Sequence, residues 1–237
     1  MLRKCAVVLV LGGIIGARAD SISYTNGVTG TFDFAPTGVA LQQFDASLGT
    51  LNSISISIGA NTQTSLLVSN TSPSTYGTPS SLFNDVQIFL GNSTFDQAVD
   101  ALNPNVNNFT LPNAWLDVTS AHFNLAGLAT GNTRSFSGAN VPATGAPVTV
   151  SGITSGTIFA DLQGTGLQNL DLASDSTVDS SIQGGATFQA TETVTGGMTV
   201  VVTYDYTAAP VPEPSAMGMF GLGLGALAIL FARQRRA

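Results

Sequence analysis

The sequence predicts an all-β fold, an antiparallel β-sandwich of jelly-roll type, set between an N-terminal signal peptide and a C-terminal transmembrane helix. Three observations predict it. Apolar residues in the middle of the chain recur with a period of two, turn-forming residues interrupt them at short intervals, and both ends are apolar runs with basic flanks. Composition agrees: the 237 residues include 26 glycines, and 43% are hydrophobic while only 9% are charged. That balance excludes coiled coils and charged disordered tails. From Asp20 to Asp205, thirteen acids face one base, Arg134, so the body carries about −12 and no lysine. A basic nucleic-acid footprint is absent, which excludes nucleic acid as a partner.

Residues 1–19 read as the signal peptide. Arg3 and Lys4 precede the apolar run Cys5 to Gly16, and Ala17-Arg18-Ala19 places small residues where a signal peptidase needs them, so cleavage is expected before Asp20. A twelve-residue run spans about 18 Å as a helix, short of the roughly 30 Å core of a bilayer, which argues against a first membrane helix. Cys5 is the only cysteine and lies in this segment. The processed chain would therefore have no disulfide and no thiolate for metal or nucleophilic chemistry.

The body, residues 20–208, reads as one domain of short strands. They are expected at Gly30 to Phe34, Val39 to Phe44, Leu51 to Ile58, Thr64 to Ser69, Val86 to Leu90, Val148 to Ile153, Thr157 to Leu162, Ala186 to Val194 and Val200 to Tyr206. In the third of these, Ile54, Ile56 and Ile58 share one face and serines line the other, the signature of an antiparallel strand with one wet side. Turns are expected at Asn26-Gly27, Gly59-Ala60-Asn61, Gly91-Asn92, Gly131-Asn132, Gly184-Gly185 and Gly196-Gly197, the last closing a hairpin between the final two strands. One helix is expected over Phe95 to Leu102, capped by Thr94, with Phe95, Ala98, Val99 and Leu102 on one face and Pro104 as its stop. Ser72 to Ser81 and Ala139 to Pro147 read as loops. No repeat of solenoid or propeller length is present.

Residues 209–215 form a proline-rich linker, in which the prolines hold Val211 and Glu213 extended. Residues 216–232 follow without a charge, about 25 Å if helical, and 233–237 form a basic tail with Arg233, Arg235 and Arg236. The positive flank is expected on the cytoplasmic side, with the body outside. Pro212-Glu213-Pro214, an apolar span and terminal arginines in this order resemble the PEP-CTERM protein-sorting signal. The resemblance implies an exported protein of an exopolysaccharide-producing bacterium. It would be held transiently in the inner membrane, cut near the PEP motif by an exosortase-type membrane peptidase, and passed to the cell surface or extracellular matrix. Within the body, Leu41 to Leu51 followed by the Ile/Ser strand resembles the opening of the choice-of-anchor E domain, an extracellular bacterial module. There Phe44 would end one strand, Asp45 to Gly49 would turn the chain and Leu51 would start the next.

Catalytic signals are sparse. His122 is the only histidine and reads as an ordinary, partly exposed one; there is no nucleophile elbow, phosphate loop or paired-histidine motif. Two acids suffice for a glycosidase, but among thirteen the sequence singles out no pair. Asp171, Asp175 and Asp179 recur every fourth residue and read as a solvated acidic loop, with a Ca²⁺ site as the alternative. Trp115 reads as core, with sugar stacking as the alternative. The expectation is a non-catalytic structural or adhesive protein with no cofactor, no metal ligand set and no catalytic residue. The alternative is a carbohydrate-binding module for exopolysaccharide, with Trp115 or Tyr76 as stacking residues and a Ca²⁺ site in the acidic loops; a carboxylate-based glycosidase ranks below it.

Overall fold

Every second side chain from Ile54 to Asn70 is buried in a single strand, as a period of two requires when one face meets a core. A computed structural model describes residues 19–31, 37–102, 114–137, 142–182, 187–209, 221–224 and 231. Its elements are β1 (Ala19–Thr31), β2 (Thr37–Gln42), a 3-10 turn (Ala46–Leu48), β3 (Gly49–Asn70), β4 (Ser80–Leu90), α1 (Thr94–Asp100) and β5 (Ala114–Thr119). After these come β6 (Phe123–Asn124), β7 (Thr133–Phe136), β8 (Pro142–Thr144), β9 (Val148–Ile153), α2 (Gly156–Asp161), β10 (Leu167–Ile182) and β11 (Phe188–Ala208).

The strands form two antiparallel sheets. One runs β1-β11-β3, with β7, β8 and β9 sharing the far edge of β3; the other runs β2-β10-β4-β5, with β6 also on β4. Pairing β1 with β11, β2 with β10, β3 with β9 and β4 with β5 nests the chain as a folded ribbon, the jelly-roll arrangement. Between the sheets lie two apolar clusters. The larger holds Ile54, Ile56, Ile58, Trp115, Val200 and Tyr204 among others; the smaller is built from Leu66, Val68, Tyr76, Leu82, Phe123, Leu125 and Leu128. Burying each such aliphatic side chain is worth about 1.5–3 kcal/mol.

Several expected turns are strand interiors instead. Asn26-Gly27 lies inside β1, Gly59-Ala60-Asn61 inside β3, and Gly196-Gly197, expected to close a hairpin, inside the continuous β11. Their glycines serve close approach between strands. A Cβ on Gly27 would run into the backbone oxygen of Met198, and one on Gly197 would sit 3.2 Å from Thr29 Cγ2 and 3.3 Å from Val28 O. Asn61 Oδ1 accepts from Gly197 N at 2.8 Å, so the side chain braces the ladder rather than a turn. Thr157 to Leu162 was expected as a strand and is helix α2. Ile158 and Leu162, four residues apart, fall on one helical face, and both are buried. The acidic segment Asp171 to Asp179 is not a loop but the middle of β10. Helix α1 is present, but Ser93 caps it in a reciprocal box with Asp96, and Leu102 lies beyond it, 42% exposed. The loop expected over Ala139 to Pro147 contains β8.

The signal segment through residue 18, Ala17 included, lies outside the described residues, whereas Ala19 begins β1. Pro212, Glu213, Pro214, Arg233, Arg235 and Arg236 also lie outside them. Of the expected membrane segment only 221–224 and 231 are described, as helical; no helix among the described residues is long and apolar enough to cross a membrane.

Candidate functional site

The one segment with a sequence signature leaves the body at the end of β11, and that end is firmly held. β1 begins where β11 finishes: Ala19 pairs with Thr207, and Asp20 with Tyr206. Both ends of the body therefore leave from one pole. On the other flank β11 pairs with β3 as far as Ala208↔Gly49, past a bulge at Asp205/Tyr206, and Ala209 N donates to Leu48 O at 2.9 Å. Asp45 supports that contact. Its carboxylate accepts from Ser47 N at 2.8 Å and shapes the 3-10 turn that presents Leu48. The same hydrogen bond, with help from the Ser47 side chain, lowers the Asp45 pKa. Gly49 has φ of 150° and lies against the Thr207 carbonyl, so a side chain there would collide with the backbone at the end of β11.

Aromatic packing anchors the pole from inside. Phe44 meets the rings of Tyr204 and Tyr206 at 5.6 and 5.3 Å, and the Tyr204 hydroxyl donates to Gln42 O at 2.5 Å across the two sheets. Burial, with the nearby Tyr24, raises the Tyr204 pKa, which keeps that donor protonated. Outside, Ser53 Oγ donates to Asp205 Oδ2 at 3.0 Å and Asn52 Nδ2 to Thr207 Oγ1 at 3.0 Å. A shallow cavity of about 350 Å³ lined by Asp20, Asn52, Asp205 and Tyr206 opens beside these bonds.

The outer face of the second sheet is acidic. In β10, Asp171, Asp175 and Asp179 point outward, and in register Asp175 faces Gln87 while Thr177 faces Asp85. Four residues along a strand cover about 13 Å, so these three aspartates cannot share one ion. Among the described residues no group of three or more His, Cys, Asp or Glu is arranged to hold a metal. The sequence did not single out the pair that matters electrostatically. Asp85 and Asp117 lie diagonally across β4 and β5, and Thr119 Oγ1 donates to Asp85 Oδ1 at 3.2 Å. Burial first, then the hydrogen bond and negative charge of Asp85, push the Asp117 pKa up to about 7. Only the strand register, which pairs Gln87 with Asp117, reveals this proximity.

The remaining candidates part company. Trp115 is fully buried and Tyr76 is 2% exposed, its hydroxyl donating to Thr187 O at 2.8 Å, so neither presents a ring to a sugar. Trp115 falls at the bulge between Ile88 and Phe89, which turns it into the core. His122 is exposed, 3.2 Å from Ser81 Oγ through Nδ1, with its ring 5.1 Å from that of Phe83. A second cavity of about 360 Å³ lies between α1 and α2, lined by Ala98, Leu102, Ile153 and Ile158 among others.

Comparison with known proteins locates one signature. Residues 210–236 match the PEP-CTERM protein-sorting motif, which begins one residue after Ala209, the last described residue of the body. The family match does not extend to Leu41 to Leu51, so the resemblance to the choice-of-anchor E domain is not shown. No curated protein matches the chain. Similar solved structures include that of a mud crab tombus-like virus, at 13% identity over 92% of this chain and 96% of that one, with a TM-score of 0.16. They also include infectious bursal disease virus strain Gx, at 13% identity over 90% of this chain and 49% of that one, TM-score 0.14. The T=1 particle derived from the bursal virus gives 12% identity over 93% and 51%, TM-score 0.15. Scores this low define neither fold nor function for this chain.

Proposed function

We propose that the chain is a non-catalytic structural or adhesive protein of the bacterial cell surface or extracellular matrix. The sorting motif implies export, transient anchoring through the C-terminal region and processing by an exosortase-type membrane peptidase. In the reading proposed here, signal peptidase cuts after Ala19 and the apolar segment 216–232 tethers the body to the inner membrane. The tether is then cut near Pro212, Glu213 and Pro214. The observation that carries this reading is the position of the motif: it starts at residue 210, where the last strand hydrogen bond of the body, from Ala209 N, has just been made. A peptidase at the membrane would find its recognition segment next in sequence to a folded domain.

The acidic outer face of the second sheet suits a matrix role. At about −12 the body repels polyanions, and Ca²⁺ from solution would bridge it to acidic exopolysaccharide without a dedicated metal site. Retention of the protein on its matrix polysaccharide should fall when a chelator is added. The sorting half is tested by mass spectrometry of the exported protein in cells with and without the peptidase. The expected product starts at Asp20 and ends within Pro212 to Ser215, and only when the peptidase is present. Recovery of chains that still end beyond Arg236 from peptidase-containing cells would overturn it.

A further inference from the structure

Strand β1 is an edge of the larger sheet. β11 pairs with it along all 13 residues, and among the described residues no strand pairs with its other side. Such an edge leaves N–H and C=O groups without a strand partner, although here Ser21 N and Gly27 N donate to the Asp20 and Asn26 side chains at 2.9 and 2.8 Å, and proteins usually blunt it with lysines, prolines, bulges or short strands. None of these devices is present here. Ala19–Thr31 contains no lysine, arginine or proline, its ladder to β11 runs without a register shift, and ten of its thirteen residues are exposed. Asn26 Nδ2 donates to Ala40 O at 2.8 Å, which fixes the edge against the other sheet.

We infer that β1 pairs antiparallel with β1 of a second copy of this chain, about a two-fold axis at Thr25, and so joins two sheets into one. Charge and pattern select that partner. Two bodies at about −12 repel wherever acids meet, yet β1 carries no charge from Ser21 to Thr31. With Thr25 on the axis, Asp20 lies opposite Gly30 of the other copy rather than opposite another acid. Ile22 lies opposite Val28, Ser21 opposite Thr29 and Ser23 opposite Gly27. Half-buried apolar residues thus meet on the inner face, and small polar ones on the outer face. A charged peptide finds no complementary charge on this edge, whereas a second copy matches it in length, neutrality and alternation. The contact is isologous and closes at two copies. The inference goes beyond the proposed sorting and does not depend on it.

The test uses the purified full chain in detergent with Cys5→Ser, so that an added cysteine is the only one. A two-fold axis at Thr25 brings the paired Cα atoms to about 4.5–5.5 Å, inside the roughly 4.4–6.8 Å that a disulfide spans. Under mild oxidation, Thr25→Cys should give at least tenfold more covalent dimer than Gln63→Cys, which sits on the exposed face of β3. Adding Ser21→Lys and Thr29→Lys sets like charges opposite each other twice across the junction. It should return Thr25→Cys to the Gln63→Cys level, while circular dichroism retains the β signal. Equal dimer from both cysteines, no dimer from either, or dimer indifferent to the lysines would overturn the pairing. The lysines also lower the net negative charge, so general repulsion cannot account for a loss.

Discussion

β1 ends opposite Thr195 and β2 begins opposite Leu172; past those points β11 and β10 are, among the described residues, themselves the edges. The sandwich therefore has two unlike halves. Near the tail it is flanked by β1, β2 and β9, closed by two short helices and filled by the larger cluster around Ile54, Ile56, Ile58 and Trp115. Away from the tail it is capped by loops and filled by the smaller cluster around Phe123. A polar belt separates them. On the inner face of β3, Thr62 and Thr64 interrupt the run between Ala60 and Leu66, and Asn84 does the same on β4. The difference teaches that the half in which the last strand ends, one residue before the sorting motif begins, has the larger apolar cluster.

The sharpest way to break this arrangement is Trp115→Ala. The Trp115 indole N–H makes no hydrogen bond among the described residues, so the loss is one of packing. A cavity of that size in the larger cluster should cost about 4 kcal/mol, measured by urea unfolding. Phe123→Ala tests the other half. Phe123 packs edge-on against Phe136 at 5.0 Å, at a site bounded by short strands and loops that can partly collapse. Its cost should be nearer 3 kcal/mol. Equal losses would show that the two clusters are one cooperative core.

Asn84→Ala attacks the belt itself. The Asn84 amide donates to Thr177 O at 3.2 Å and to Glu192 Oε1, and its oxygen accepts from Thr64 Oγ1 at 3.2 Å. Removing it leaves the buried Thr64 hydroxyl without its acceptor, at about 1–3 kcal/mol. Hydrogen exchange should then show the smaller half opening before the larger one.

The larger half was the more legible in sequence, and the reason is physical. Ile54, Ile56 and Ile58 alternate with serines because one face is core and the other water, and Val200 to Tyr206 repeats that pattern on β11. Asn26-Gly27, Gly59-Ala60-Asn61 and Gly196-Gly197 misled because local turn chemistry and close strand approach select the same residues. Only the ladder that β1, β3 and β11 form together decides between the two. Thr157 to Leu162 misled because Ile158, Ala160 and Leu162 fit a strand face, while Ile158 and Leu162 fit a helix face equally well. Of the candidate sites, the sorting segment was legible because a linear signal needs no partner. The Asp85–Asp117 pair was invisible because it exists only through the β4–β5 register.

That pair supplies the smallest expected effect and the one that discriminates between the two sheets. The outer face of β3 and β11 is lined mainly by small polar residues such as Ser53, Ser55, Ser57 and Thr203. On the other sheet the folded Asp117 pKa of about 7 lies above its ordinary value of 3.8. Between those two values the folded chain takes up a proton that the unfolded chain does not. The resulting stability is complete below about pH 4 and is lost as pH rises through 7. Asp117→Asn removes the titration, so the variant's stability should vary less between pH 4 and 8. Asp117 is only part-buried and water screens the pair, so at pH 8 the variant should gain no more than about 1 kcal/mol. If Asp117→Asn left the pH profile of the parent unchanged, the pH response would not belong to the Asp85–Asp117 pair.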